Sequence, residues 1–166
     1  MDRLSRRIFS QSLVAAAVGS SLGLAAIAEA VAAAAAGQPA RGSPAANALR
    51  PLGRSGLRVP GVGIGTNNFG MRLDAAGTAN VVAAAMDLGA NFFDTADVYG
   101  NGLSEQFLGK ALGARRAKAI IATKFGSPMR GSQFPEGGAS RAAIMYAAEQ
   151  SLKRLGTDYI DLYQIH

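Results

Sequence analysis

The sequence is 166 residues long, 49% hydrophobic and 17% charged, a balance that excludes a disordered acidic or repetitive chain and predicts one compact domain. The formal net charge of +6 comes from scattered basic residues with no basic stripe interleaved with aromatics, so we expect no nucleic-acid partner. The absence of cysteine excludes disulfides, thiolate metal sites and a cysteine nucleophile, and nothing else in the sequence predicts a bound metal.

The first 48 residues have the features of an export signal and a linker. Arg6 and Arg7 precede a mildly apolar run over residues 13–36 that only Glu29 interrupts. This arrangement resembles a twin-arginine signal peptide, so we interpret residues 1–36 as a signal for periplasmic or extracellular export with only transient membrane contact. An uncleaved membrane anchor is the alternative, because the run is long enough to span a bilayer. Residues 37–48 are rich in Gly, Pro, Ser and Ala, which is typical of a flexible linker.

From residue 49 onward, short β-rich runs alternate with amphipathic helical segments, a pattern that predicts parallel strands. The predicted strands cover residues 62–66, 91–94, 119–124 and 159–165, and the predicted helices cover residues 74–88, 104–112 and 141–155. Gly89, Gly113 and Gly156 follow the three helices as stop signals, and Ser140 is placed to cap the third.

The spacing of the strand ends indicates the fold class. The predicted strands end at Thr66, Asp94, Lys124 and His166, separated by 28, 30 and 42 residues, which fits consecutive βα units. A closed (β/α)₈ barrel needs about 250 residues. Residues 49–166 are therefore predicted to form the first half of a (β/α)₈ TIM barrel, with about four βα units. A doubly wound sheet is the competing architecture, but no G-x-G-x-x-G turn follows the first strand.

Polar residues at the strand ends are the candidate functional groups, because barrel enzymes build their active sites there. The predicted strands end in Asp94, Lys124 and His166, which places these residues at one edge of the barrel, and Tyr99 lies in the loop after Asp94. Each has an ordinary explanation when taken alone: a turn former, a solvated lysine, a terminal histidine and a loop aromatic. Three consecutive strands that end in ionisable groups around one opening favour a catalytic site.

These residue types suit the reduction of a carbonyl group. No side chain donates hydride, so a nicotinamide must supply it. A phenol such as that of Tyr99 can supply the proton when an ammonium group, here Lys124, stabilises the resulting phenolate. The carboxylate of Asp94 would keep the lysine charged and aimed, and His166 would position and polarise the substrate oxygen.

Three segments carry a family resemblance. DTADVYGNGLSE (residues 94–105), ATKFG (122–126) and DLYQIH (161–166) resemble, in order, the signature segments of the aldo-keto reductases. The opening LRPLGRSGLRVPGVGIGTNNFG (49–70) resembles the N-terminal hairpin and first barrel strand of the bacterial and potassium-channel β-subunit-like branches of that family. The resemblance implies an oxidoreductase that reduces small aldehydes or ketones to alcohols, with NADP as the cofactor and NAD as the alternative.

The resemblance also implies roles for individual residues. The implied catalytic tetrad is Asp94, Tyr99, Lys124 and His166, with Tyr99 as the general acid. The implied cofactor contacts are Gly65, Thr66, Asn67 and Asp94. In the family, the adenosine phosphate and the pyrophosphate are held mainly by loops after the last two strands. We therefore expect reductase activity only from a full-length form, and the alternatives are an inactive half-barrel fragment or a non-catalytic binding module.

Overall fold

The computed structural model describes residues 48–166, so the predicted signal at residues 1–36 and the linker up to residue 47 lie outside the described residues. The strands are β1 (Arg50–Pro51), β2 (Arg58–Val59), β3 (Ile64–Gly65), β4 (Phe92–Asp94), β5 (Ile120–Phe125) and β6 (Leu162–Ile165). The helices are α1 (Ala75–Asp87), α2 (Leu103–Leu112) and α3 (Arg141–Leu155). None of the helices within residues 48–166 is both long and apolar enough to cross a membrane.

Four parallel strands form the sheet, in the order β3-β4-β5-β6. A helix follows each of β3, β4 and β5, so neighbouring strands are joined by βα units. The antiparallel pair β1-β2 forms the hairpin that precedes them. The sheet confirms the predicted first half of a (β/α)₈ barrel, with its strands adjacent in chain order.

The two faces of the sheet have different roles because successive side chains of a strand point to opposite faces. Phe93 and Ile121 are fully buried on the helix-covered face. They form the hydrophobic core with Val82 of α1, Leu108 of α2 and Leu155 of α3. The opposite face carries the residues at the predicted active site, and it is turned away from this core.

Local hydrogen bonds explain where the helices begin and end. The Asp74 carboxylate accepts a hydrogen bond from the backbone N–H of Gly77 at 2.8 Å and so caps α1. The Ser140 hydroxyl caps α3 by accepting from the N–H of Ala143 at 3.2 Å, which confirms the predicted cap. Gly156 ends α3 with a φ of 65°, a conformation that favours glycine.

Two of the strands are three residues shorter than the sequence predicts. The first predicted strand, residues 62–66, is reduced to Ile64–Gly65. The fourth, predicted at residues 159–165, begins only at Leu162. The reason for the late start is that the Asp161 carboxylate accepts hydrogen bonds from the N–H of Ile121 at 2.9 Å and from Arg116 at 2.8 Å. A side chain thus occupies the position of a strand partner.

The start of α2 also differs from the prediction. Its N-cap is Gly102, with a left-handed φ of 93° and no capping side chain, and the helix begins at Leu103. Ser104, predicted to open the helix, lies inside the first turn and is buried. Its hydroxyl is paired with Thr66 and Thr95 of the neighbouring strand ends, at 2.8 and 3.0 Å.

A glycine allows α2 to approach the end of α3 closely, and this contact gives a stability prediction. A Cβ atom at Gly109 would clash with the backbone carbonyl of Leu155, which cannot rotate away as a side chain can. We expect Gly109→Ala to lower the free energy of unfolding by about 2 kcal/mol. Denaturant unfolding followed by circular dichroism measures this change.

The control for this prediction is Gly77→Ala, the same substitution within α1. There a Cβ atom would be 3.2 Å from the Asp74 carboxylate and 3.3 Å from the Leu73 side chain, and both of these can move slightly. We expect this variant to change the unfolding free energy by less than about 1 kcal/mol, because the helix propensity of alanine offsets the crowding. Equal effects of the two substitutions would contradict the assigned contact.

Candidate active site

An ion pair at the ends of β4 and β5 is the centre of the site. Lys124 Nζ donates to Asp94 Oδ2 at 2.8 Å and to the carbonyl oxygen of Thr95 at 2.9 Å. The strand register explains why these two side chains are close. Asp94 pairs with Ala122, which lies two residues before Lys124, so both side chains are on the same face of the sheet. The lysine side chain is 14% exposed and the aspartate 40%, which leaves the carboxylate open to a ligand while the ammonium is held.

Tyr99 lies beside this ion pair. It begins a 3-10 turn, Tyr99–Gly102, which we call the tyrosine turn. The Lys124 ammonium is 5.1 Å from the centre of the Tyr99 ring, within the range of a cation–π interaction. The structure therefore brings together the predicted carboxylate, ammonium and phenol at one end of the sheet.

His166 reaches the same place from β6. Its backbone N–H donates to the carbonyl oxygen of Phe125 at 2.8 Å, and this bond continues the β5-β6 pairing beyond the strand. Its ring lies edge-on to that of Tyr99, with 5.6 Å between the ring centres. All four residues of the predicted tetrad are thus grouped at the carboxyl ends of β4, β5 and β6, and His166 is the most exposed of them.

Tyr163 provides a useful comparison among the tyrosines. It pairs in register with Thr123, so it lies on the helix-covered face opposite the ion pair. It stacks on Phe125 with 4.8 Å between ring centres. Burial, with the nearby carboxylates Asp97 and Glu105, raises the pKa of Tyr163, which keeps its phenol neutral. Its location excludes Tyr163 from the tetrad site.

Three of the predicted cofactor residues lie at or just after the end of β3, next to the ion pair that contains the fourth, Asp94. Gly65 pairs in register with Asp94, and a Cβ atom at Gly65 would meet nothing within 4 Å. Asn67 is exposed. Thr66 is fully buried: its N–H donates to the Asp94 carbonyl at 3.0 Å, and its own carbonyl accepts from the Ser104 hydroxyl at 2.9 Å. Gly65 and Asn67 therefore offer free surface here, whereas Thr66 is engaged within the protein.

Sequence reasoning missed a group of buried charged residues beneath the site. Glu105 is fully buried, and Arg154 Nε donates to its carboxylate at 2.6 Å. A signal for Glu105 was available in the sequence. It lies three and seven residues before Leu108 and Leu112, and this spacing places an acidic residue on the apolar face of α2.

Asp97, a second missed residue, lies between Asp94 and Tyr99 in the chain. It is 5% exposed, and its Oδ1 atom has no hydrogen-bond partner among residues 48–166. Burial raises the pKa of Asp97, and the neighbouring carboxylate of Glu105 adds to the effect, while a hydrogen bond from the backbone of Val98 and the charges of Arg154 and His166 partly oppose it. Asp97 is thus a carboxyl group that the fold disfavours in its charged form.

This environment gives a pH prediction. Because the folded protein retains the Asp97 proton to higher pH than the unfolded chain does, this residue stabilises the fold at low pH, and its contribution is lost as pH rises through the raised pKa. We expect Asp97→Asn to be more stable than the unsubstituted protein at about pH 7, with the difference shrinking towards about pH 4. Thermal unfolding at several pH values measures it. A larger advantage at the lower pH would contradict the assignment.

The chain is similar to known proteins of one family. The family model described as "Aldo/keto reductase family" matches residues 61–166. The chain is 42% identical to the uncharacterized oxidoreductase YrpG of Bacillus subtilis, over 69% of this chain and 38% of the relative. It is 42% identical to a probable voltage-gated potassium channel subunit beta of Oryza sativa subsp. japonica, over 69% of this chain and 36% of the relative.

A solved structure shows the same similarity. The aldo-keto reductase AKR11C1 of Bacillus halodurans in its holo form is 43% identical to the chain and superposes with a TM-score of 0.66. The superposition covers 72% of this chain and 40% of that protein. The chain thus spans between 36% and 40% of the length of these three proteins.

Proposed function

Because the chain belongs to the aldo/keto reductase family, we propose that residues 49–166 form the catalytic half of a NAD(P)H-dependent enzyme that reduces aldehydes or ketones to alcohols. The observation that carries the proposal is the contact of Lys124 with both Asp94, at 2.8 Å, and the ring of Tyr99, at 5.1 Å. Such a group suits the delivery of a proton to a substrate oxygen at the rim of a barrel.

Each tetrad residue has a separate task in this proposal. Tyr99 donates the proton of its hydroxyl to the carbonyl oxygen. Lys124 offsets the negative charge that the phenolate then carries, and Asp94 holds the ammonium in place. His166 donates a hydrogen bond that orients and polarises the carbonyl. The alcohol forms when the carbonyl carbon has gained a hydride and the oxygen has gained this proton.

The residues next to the ion pair fit a nicotinamide cofactor, which supplies the hydride when bound. The residues that would hold it are Gly65, Thr66, Asn67 and Asp94. A Cβ atom at Gly65 would meet nothing within 4 Å, so a ligand can approach the backbone beside the partly exposed Asp94 carboxylate. Thr66 would contribute through the backbone that its hydrogen bonds fix. We take NADP as the cofactor, with NAD as the alternative, from the family resemblance.

A steady-state assay tests the proposed function. A full-length barrel that contains residues 49–166 should oxidise NADPH when small aldehydes or ketones are added, with one alcohol formed per cofactor consumed. Absence of carbonyl-dependent oxidation in a folded preparation that binds NADPH would refute it. That result would favour the second candidate, a non-catalytic binding module, which the 42% identity to a potassium channel subunit beta supports.

For the N-terminal region we propose export by the twin-arginine route, with a membrane anchor as the alternative. The double variant Arg6→Lys with Arg7→Lys should leave the precursor in the cytoplasm, because two ammonium groups do not reproduce the paired planar guanidinium groups. Cell fractionation with immunoblotting measures the exported share. The matched control is Arg41→Lys with Arg50→Lys, outside the predicted signal, which should be exported normally. Undiminished export of the Arg6 and Arg7 variant would refute the route.

A further inference from the structure

A buried hydrogen-bonded network lies under the tyrosine turn and outside the tetrad. The Thr123 hydroxyl of β5 donates to Glu105 Oε1 at 2.6 Å, and Arg154 Nε of α3 donates to Glu105 Oε2 at 2.6 Å. Arg154 also donates to the Ser151 hydroxyl at 3.2 Å. A fully buried carboxylate is stable only with such partners. The network therefore ties α2, β5 and α3 together directly behind the loop that carries Tyr99.

The tyrosine turn contains one residue whose backbone conformation needs support. Gly100, Asn101 and Gly102 all have left-handed conformations, with φ values of 57°, 52° and 93°. Asn101 is the single non-glycine residue with positive φ among residues 48–166. Glycine adopts this conformation freely, but at Asn101 it costs free energy, so the turn depends on its surroundings at that position.

Arg154 is one of the groups that hold the turn. A Cβ atom at Gly102 would be 2.7 Å from Arg154 Cδ and 3.2 Å from Arg154 Nε, so the arginine side chain lies directly against the turn. A Cβ atom at Gly100 would be 3.2 Å from the carbonyl oxygen of Phe69, which is a second support. The same Nε atom that touches the turn donates to Glu105, and this bond fixes where the arginine lies.

We propose that Arg154, fixed by Glu105, is a positioning residue that holds the tyrosine turn and thereby sets the place of the Tyr99 phenol in the active site. The effect of this positioning on catalysis rests on the proposed function. The effect on the structure does not: without the Arg154–Glu105 pair the turn relaxes, and the ring of Tyr99 leaves its position 5.6 Å from the ring of His166.

Nuclear magnetic resonance of the 166-residue chain tests the proposal directly. His166 is the only histidine, so its ring signals are unique, and nuclear Overhauser cross-peaks to the Tyr99 ring report the distance between the two. The test variant is Glu105→Gln with Arg154→Met, which removes both buried charges together. We expect the amide signals of the strands to persist and the Tyr99–His166 cross-peaks to be lost. Persistence of these cross-peaks in the folded double variant would overturn the proposal.

Two further variants complete the experiment. Arg154→Lys keeps a cation for Glu105 but removes the Nε donor, so the fold should persist with weakened cross-peaks, and unchanged cross-peaks would overturn the proposal even if the double variant unfolds. Asp87→Asn with Arg115→Met removes an exposed arginine–carboxylate pair, separated by 3.5 Å, and should leave the cross-peaks unchanged. Their loss in this control as well would also overturn the proposal, because any lost ion pair would then have the same effect.

Kinetics of a full-length reductase separate this inference from the proposed function. There the Glu105→Gln and Arg154→Met double variant should lower kcat with little change in KM, because the substrate still binds while the proton donor is displaced. A change confined to KM would overturn the positioning role. If the unsubstituted protein reduces no carbonyl but the cross-peaks are lost as expected, the proposed function fails and the structural role of Arg154 stands.

Discussion

Replacement of Tyr99 by phenylalanine should lower the rate of carbonyl reduction in the full-length enzyme by at least about 10²-fold, the usual cost of losing a positioned proton donor. The substitution removes one hydroxyl and keeps the ring that contacts His166 and the Lys124 ammonium. Cofactor affinity should therefore change little. Steady-state kinetics and a separate NADPH titration measure the two effects.

The matched control is Tyr163→Phe, which removes a hydroxyl on the helix-covered face. Within residues 48–166, that hydroxyl donates one long hydrogen bond, 3.5 Å, to the carbonyl oxygen of Ile144. The control should keep a near-normal rate. A near-normal rate for the Tyr99 variant as well would remove Tyr99 from its assigned role.

Replacement of Lys124 by methionine should be comparably damaging, about 10²-fold or more in rate, because the phenol loses its electrostatic partner while keeping its position. The substitution also leaves the Asp94 carboxylate without the ammonium that donates to it at 2.8 Å. Stability has to be followed alongside the rate, since the lysine side chain is only 14% exposed.

The control is Lys110→Met, which removes the charge of an exposed lysine near the end of α2 and so measures the effect of losing a positive charge away from the site. It should leave the rate unchanged. If Lys124→Met folds normally and retains most of its activity, the ammonium is not what activates the phenol.

The sequence predicted the parts of the fold that depend on neighbouring residues. Short β-rich runs that alternate with helical segments indicated the four strands. Ser140 and Gly156 indicated the two ends of the longest helix, because a helix cap and a left-handed glycine depend on neighbouring residues alone. The grouping of Asp94, Lys124 and His166 was also predictable, since the carboxyl ends of parallel strands share one edge.

The missed features depend on contacts between distant residues. The partner of Glu105 is Arg154, 49 residues further along the chain, and no local pattern connects the two. The late start of β6 follows from an Asp161 side chain that bonds to the backbone of β5. For Thr66, the buried location became evident only with the hydrogen bonds to Ser104 and to the Asp94 carbonyl. Tertiary packing decides each of these.

A single-turnover reaction with NADPH deuterated at both C4 positions tests the central claim most directly. It uses a full-length barrel containing residues 49–166 and a small aldehyde, and it compares the unsubstituted enzyme with the Tyr99→Phe variant. We expect deuterium on the former carbonyl carbon of the alcohol, formed at least about 10²-fold faster by the unsubstituted enzyme. Alcohol without deuterium, or equal rates for the two proteins, would contradict hydride transfer assisted by Tyr99 at this site.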